Sequence, residues 1–199
     1  MVSTLAEDLG SGRPQNQRPG GLFLDRDGTV IVHIPYLHDP RRVVVVPGAS
    51  EALAAARRAG FRLYLFTNQS GVGRGLFDLD AVHAVNERMV ELLGLGSDVF
   101  AGVCIAPEAP EQPSLYRKPS PRFILETCRK DGLDPARCWM LGDSPSDWEA
   151  GHRASIRSLA VDVSPAEPED QRRRREAMGV RGFSDLAKAV SFILQSSDG

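Results

Sequence analysis

The stretch Leu22-Phe23-Leu24-Asp25-Arg26-Asp27-Gly28-Thr29 joins a short apolar run to two carboxylates and a glycine turn. An apolar run that stops abruptly at a charge has the pattern of a buried parallel strand ending at a polar site. Asp25 and Asp27 lie two residues apart in a turn containing Gly28, so both can face one small volume. Like charges that close repel unless a cation separates them. A hard divalent ion with oxygen ligands, such as Mg2+, resolves that conflict. One carboxylate is then placed to attack phosphorus and the other to donate and accept a proton.

Working outward, four more apolar runs punctuate the chain. Phe61 to Phe66 stops at Thr67-Asn68, and Val99 to Ile105 stops near Ala106-Pro107. Cys138 to Leu141 stops at Gly142-Asp143, and Ile156 to Val161 stops at Asp162. Helices are expected between them. Residues 48–59 are alanine-rich and end at Gly60, a helix-closing residue. Residues 79–93 place Leu79, Val82, Val85, Met89 and Leu92 on one face. Residues 120–131 open with Ser120-Pro121, a cap followed by proline in the first turn. A last helix near 183–195 aligns Phe183, Leu186, Val190 and Ile193. Strands alternating with helices predict an α/β fold whose parallel sheet is covered on both faces. Ligands of such sheets bind at the carboxyl ends of the strands.

Residues 1–20 lack apolar periodicity and read as a flexible tail, leaving 21–196 as a single domain. The charge run 167–176 reads as a solvated loop or helix end rather than an anion-binding patch. Trp139 and Trp148 are expected in the core, and His33 and His38 in solvent.

Composition narrows the class. Of 199 residues, 24 Lys and Arg face 26 Asp and Glu, a net charge of −2. That balance argues against nucleic-acid binding by general positive charge. With 42% hydrophobic residues the chain can bury a core. No stretch approaches the roughly 18–20 apolar residues of a membrane span, and no secretory pattern opens the chain. The three cysteines, Cys104, Cys128 and Cys138, cannot all pair within the chain, so a reducing, cytoplasmic setting is expected. No coiled-coil seam or long apolar edge is evident, so a monomer is expected.

The strand-end residues resemble the four ordered motifs of the haloacid dehalogenase superfamily. Asp25-Arg26-Asp27-Gly28-Thr29 resembles the first and Thr67-Asn68 the second. Lys118, within Arg117-Lys118-Pro119-Ser120-Pro121, resembles the third, and Gly142-Asp143 followed by Asp147 the fourth. The resemblance spans about Gly21 to Asp162. It implies a three-layer Rossmann-like core with a mostly parallel sheet and no large cap domain. It also implies Asp25 as nucleophile, Asp27 as acid and base, and Thr67 and Lys118 as phosphoryl-holding groups. Mg2+ would be bound by Asp25, Asp143 and the backbone carbonyl of Asp27. Asp147 would bind a metal water or hold Lys118.

Within the superfamily, further stretches resemble the branch of heptose bisphosphate and histidinol-phosphate phosphatases. They are Thr67-Asn68-Gln69-Ser70-Gly71 with Arg74-Gly75, Arg117-Lys118-Pro119, and the Tyr36-x-His38 segment. That resemblance implies substrate contacts from Asn68, Gln69, Ser70, Arg117 and Tyr36, with loops 30–47 and 106–116 shaping the pocket. Two departures stand out. Where the branch carries a zinc loop, this chain has Cys104 but Ala106, Ser114 and Tyr116 at the other positions. One thiol cannot make a structural tetrahedral site, so no zinc is expected and Cys104 reads as a buried strand residue. Ser144 stands where heptose phosphatases tend to have a lysine, which weakens transfer of the heptose substrate. The expectation is a Mg2+-dependent phosphatase using an aspartyl-phosphate on a small phosphorylated metabolite, foremost a heptose bisphosphate-like sugar. Histidinol phosphate, a nucleic-acid 3′-phosphate, and non-catalytic binding of a phosphate ligand are the alternatives. A small phosphate ester is the expected partner, with no nucleic acid and no membrane.

Overall fold

A computed structural model of the chain describes residues 18–162, 164 and 166–197. Its centre is a six-stranded sheet made of β1 (Gly21–Leu24), β2 (Arg62–Asn68), β3 (Gly102–Ala106), β4 (Trp139–Gly142), β5 (Arg157–Ala160) and β6 (Arg181–Gly182). The order across the sheet is β3-β2-β1-β4-β5-β6, and every pairing is parallel. The five longer strands coincide with the five apolar runs. Such runs lack polar alternation because both faces of the sheet are covered.

The pleat sorts the side chains into two cores. Leu22, Leu24, Leu63, Leu65, Trp139 and Leu141 pack on one face, with α1 (Ala49–Arg58), α3 (Leu79–Leu93) and α7 (Leu186–Ser197). Phe23, Tyr64, Phe66 and Met140 pack on the other, with α4 (Arg122–Lys130) and α5 (Pro145–Arg153). Two shorter elements complete the chain, the turn α2 (Ser70–Gly73) and the helix α6 (Glu169–Ala177). This is the expected three-layer arrangement, and no segment between the strands forms a cap domain among the described residues.

Three details differ from the sequence expectation. The buried stripe of α3 is Val82, Val85, Asn86, Met89 and Leu93, while Leu79 and Leu92 are 41% and 39% exposed. Polar Asn86 occupies a core-facing position, which displaces the apolar pattern. Helix α4 starts at Arg122 with Pro121 in the capping position. The Ser120 hydroxyl donates to Leu115 O at 2.6 Å and accepts a longer bond from Arg122 N at 3.4 Å. Cys104 is half-buried rather than buried, because β3 is an edge strand.

Residues 1–17 of the expected tail lie outside the described residues. Arg18, Pro19 and Gly20 dock by their carbonyls, which accept from Arg137 Nη1 (3.1 Å), Asp134 N (3.0 Å) and Arg62 N (3.0 Å). The charge run forms α6, with no buried residue. Three of its four arginines are neutralised locally: Arg173 pairs with Glu169, Arg174 with Glu149 and Arg175 with Glu167. Among the described residues no helix is long and apolar enough to cross a membrane.

Candidate active site

Strand order reverses at β1, which has β2 on one side and β4 on the other. Loops leaving β1 and β4 diverge there and open a crevice at the carboxyl ends of the strands. Asp25 follows β1, Thr67 and Asn68 close β2, and Asp143 follows β4. Asp25 N donates to Leu141 O at 2.9 Å, which locks the start of the turn to the neighbouring strand. Gly28 has φ +80, and a Cβ there would lie 2.2 Å from Asp143 Oδ2. The glycine therefore serves both the turn and the close approach of Asp143.

Lys118 arrives from the loop before α4 and is 4% exposed. Its Nζ lies 2.5 Å from Asp25 Oδ1, 2.6 Å from Asp147 Oδ1 and 2.7 Å from Phe66 O. Asn68 fixes the lysine's backbone at both ends: Lys118 N donates to Asn68 Oδ1 (2.9 Å), and Asn68 Nδ2 donates to Lys118 O (3.1 Å). Asp147 is held in turn by Ser144, whose N and Oγ both donate to Asp147 Oδ2 at 3.0 and 2.7 Å. Of the two roles open to Asp147, the contact with Lys118 is the one formed. Beneath it, fully buried Trp148 donates its indole N–H to Gly142 O at 3.0 Å.

Asp27 is oriented by groups the sequence reading missed. Arg26, fully buried, places Nε 3.0 Å from Asp27 Oδ2 and Nη2 3.3 Å from Oδ1. Its Nη1 donates to Asn86 Oδ1 on α3 at 2.9 Å. Asn86 within the apolar stripe of α3 was the available signal. Gln69 Nε2 reaches both Asp27 Oδ2 (2.9 Å) and Thr67 Oγ1 (2.8 Å).

The amides of Asn68 and Gln69 bond to Lys118, Asp27 and Thr67, and both residues also line the cavity between the strand ends. Tyr36, Ser70 and Arg117 line a cavity of about 460 Å³ with Asp25, Asp27, Lys118 and Asp143. Thr67, 1% exposed, lies off its wall behind Gln69. His33 also lines the cavity, and exposed His38 stacks on Phe77. The loop at the expected zinc position is tied by hydrogen bonds. Gln112 and Ala109 bond reciprocally (2.7 and 3.0 Å), Arg117 Nη1 donates to Glu108 O (2.9 Å), and Arg117 N donates to Ser114 Oγ (3.0 Å). Burial pushes the Cys104 thiol up to about 12, as for a cysteine packed within a strand.

Carboxylate oxygens of Asp25, Asp143 and Asp147 lie within 4.8 Å of one another. Burial raises the Asp25 carboxyl to about 7, against the pull of Lys118 and with the repulsion of Asp147 and Asp27. Burial raises Asp143 to about 8, with Asp25 and Asp147 adding to it. An all-oxygen set that resists full ionisation fits a hard divalent cation. The Asp27 carboxylate is taken by Arg26 and Gln69, which leaves its backbone carbonyl for any metal role.

This cluster has a consequence for stability. Between the ordinary carboxylate range and these raised values, the folded metal-free protein holds protons the unfolded chain releases. Its stability therefore falls as pH rises from about 4 to about 8. A divalent ion needs the ionised carboxylates, so it restores most at the upper end. Melting curves at pH 5 and pH 8, with and without Mg2+, should show the larger metal-induced rise at pH 8. Equal rises would contradict the assignment of this cluster as the metal site.

The haloacid dehalogenase-like hydrolase profile matches residues 25–155. A D-glycero-beta-D-manno-heptose-1,7-bisphosphate 7-phosphatase of Mesorhizobium japonicum is 40% identical over 145 residues. That match covers 68% of this chain and 65% of the relative, so the chain spans just under two thirds of that relative's length. A protein of the same name from Pasteurella multocida is 32% identical over 176 residues, covering 85% of this chain and 95% of the relative. In three dimensions the chain resembles a D,D-heptose 1,7-bisphosphate phosphatase from B. bronchiseptica, solved with magnesium and phosphate. The TM-score is 0.77 at 28% identity, covering 89% of this chain and 99% of the other. With the profile spanning every strand-end residue from Asp25 to Asp147, the chain belongs to the haloacid dehalogenase-like hydrolases.

Proposed function

We propose that the chain is a Mg2+-dependent phosphatase acting on a sugar phosphate of the heptose bisphosphate kind, through an aspartyl-phosphate on Asp25. One observation carries this reading. Lys118 engages Asp25 Oδ1, while Oδ2 accepts no protein hydrogen bond among the described residues and Asp27 is held in the same cavity.

Bound Mg2+ would supply positive charge for the transferred phosphoryl group. The protein's own groups supply the rest. Asp25 Oδ2 attacks phosphorus, and the bond to the ester oxygen breaks. Asp27 gives its proton to that leaving oxygen. Arg26 and Gln69 keep the Asp27 carboxyl turned toward the site. Asp27 then takes a proton from water, which attacks the phosphoryl group and restores the Asp25 carboxylate. Lys118 balances charge on Asp25 and on the phosphoryl oxygens throughout.

The heptose assignment is supported by the relatives' names and by a pocket wall that mixes Tyr36, Ser70 and Arg117. Ser144, where heptose phosphatases tend to have a lysine, holds Asp147 here and brings no positive charge to the phosphate. Three free thiols support a reducing, cytoplasmic setting.

A phosphate-release screen tests the function. It should include heptose 1,7-bisphosphate, its monophosphates, histidinol phosphate, simple sugar phosphates and a 3′-phosphorylated oligonucleotide. The expected result is highest kcat/KM on the heptose bisphosphate and loss of release on chelation of Mg2+. A preference for histidinol phosphate or the oligonucleotide would overturn the substrate. No release from any ester would overturn catalysis.

A further inference from the structure

Trp139, Arg157 and Arg181 are the first residues of three adjacent strands, β4, β5 and β6. Trp139 and Arg157 are register partners at the amino end of the sheet, opposite the active site, and Arg181 stands two residues further along, level with Leu159. From Trp139 to the end of β4 is on the order of 10 Å at strand rise. Together with His152 and Phe192 they line a cavity of about 430 Å³ whose wall contains no carboxylate.

The two guanidinium groups in this cavity are held by aromatic rings. The Arg157 guanidinium stacks 3.7 Å from the Trp139 ring centroid, and that of Arg181 lies 4.5 Å from Phe192 and 5.3 Å from Phe183. Neither arginine has a carboxylate partner within 4.0 Å among the described residues, in contrast to the paired arginines of α6. Arg157 donates to the Ala136 carbonyl at 2.5 Å, and Arg181 donates to no protein group among the described residues. Trp139 is 4% exposed, yet its indole N–H meets no acceptor. A buried indole N–H ordinarily finds one.

We propose that this cavity binds a small phosphate monoester, held by Arg157 and Arg181 beside the Trp139 ring, independently of the active site. Two permanent positive charges match a group that carries about −1.5 to −2 at neutral pH. Guanidinium forks donate to phosphate oxygens in pairs, and stacking lowers the entropy lost on binding. The volume falls within the range of small-molecule sites. Phe192, Met178 and Ile156 give the ester's organic body an apolar wall.

Phenylphosphonate, an ester mimic with a P–C bond that the enzyme cannot hydrolyse, and inorganic phosphate serve as probes. Calorimetric titration of the Mg2+-loaded protein with phenylphosphonate should give two sites per chain. The double variant R157M/R181M should keep one, with turnover within about twofold of wild type. Arg181→Met alone removes one of the two cations, which donates to no protein group among the described residues, and should weaken the second site about tenfold. That single variant decides the matter if the double variant loses its circular dichroism. One site in the wild type, or two undiminished sites in folded variants, would overturn the proposal. Inorganic phosphate binding there as tightly as phenylphosphonate would overturn the assignment to an ester. Because turnover and distal binding are read separately, failure of either leaves the other standing.

Discussion

Asp25→Asn should reduce phosphate release by at least about 10³-fold while leaving the fold intact. The loss is large because the variant removes the atom that forms the covalent bond to phosphorus, and no neighbouring group is placed to replace it. The fold survives for an electrostatic reason. Burial already pushes the Asp25 carboxyl up to about 7, so the site tolerates a neutral group of the same shape. Lys118 keeps Asp147 as a partner. Release assayed at saturating substrate gives the first number, and a melting curve within a few degrees of wild type gives the second. Near-wild-type turnover in a folded Asp25→Asn protein would remove the nucleophile from the mechanism.

Lys118→Met should cost both activity and stability. Burial alone would depress the ammonium, but Asp147 and Asp25 outweigh it and hold Lys118 above its ordinary value. At neutral pH its full stabilising contribution is present, to be lost only as pH rises beyond the ordinary lysine range. The variant leaves two buried carboxylates without their cation, which costs about 3–5 kcal/mol. Activity should fall on the order of 10²–10³-fold, as when one preorganised donor to the transferring group is removed. The stability deficit should shrink as pH falls toward 5, because the Asp25 carboxyl, raised to about 7 by burial, then takes up a proton. Denaturant unfolding of wild type and variant at pH 5 and pH 8 reads this directly. A deficit independent of pH would mean that Lys118 acts by packing rather than by charge.

The sheet was legible because buried parallel strands are short, apolar and unbroken. Leu22-Phe23-Leu24 and Cys138 to Leu141 have no other reading once each ends at an aspartate. Helix α5 was not, since Pro145–Arg153 holds a glycine and few apolar residues. Gly151 is required there, as a Cβ would come 2.2 Å from Ser158 Oγ. Helix α6 has no apolar face to read, and β6 has only two residues, Arg181 and Gly182.

The candidate site divides in the same way. Asp25, Lys118 and Asp143 announce themselves because each stands at an element boundary where charge is otherwise unneeded. The links among them are tertiary. Arg26 and Asn86 meet across 60 residues of sequence, and each alone reads as an ordinary polar residue. Asn68 and Gln69 were rightly drawn to the site, but a sequence cannot tell an amide that meets substrate from one that aims a lysine or an aspartate.

Chemical trapping of the phosphoryl group tests the covalent mechanism most directly. Protein quenched in acid during turnover and reduced with borohydride should yield homoserine in place of Asp25, found by peptide mass spectrometry. The yield should vanish when substrate is omitted. Unmodified Asp25 in a sample that is demonstrably turning over would contradict the aspartyl-phosphate and point to direct attack by water.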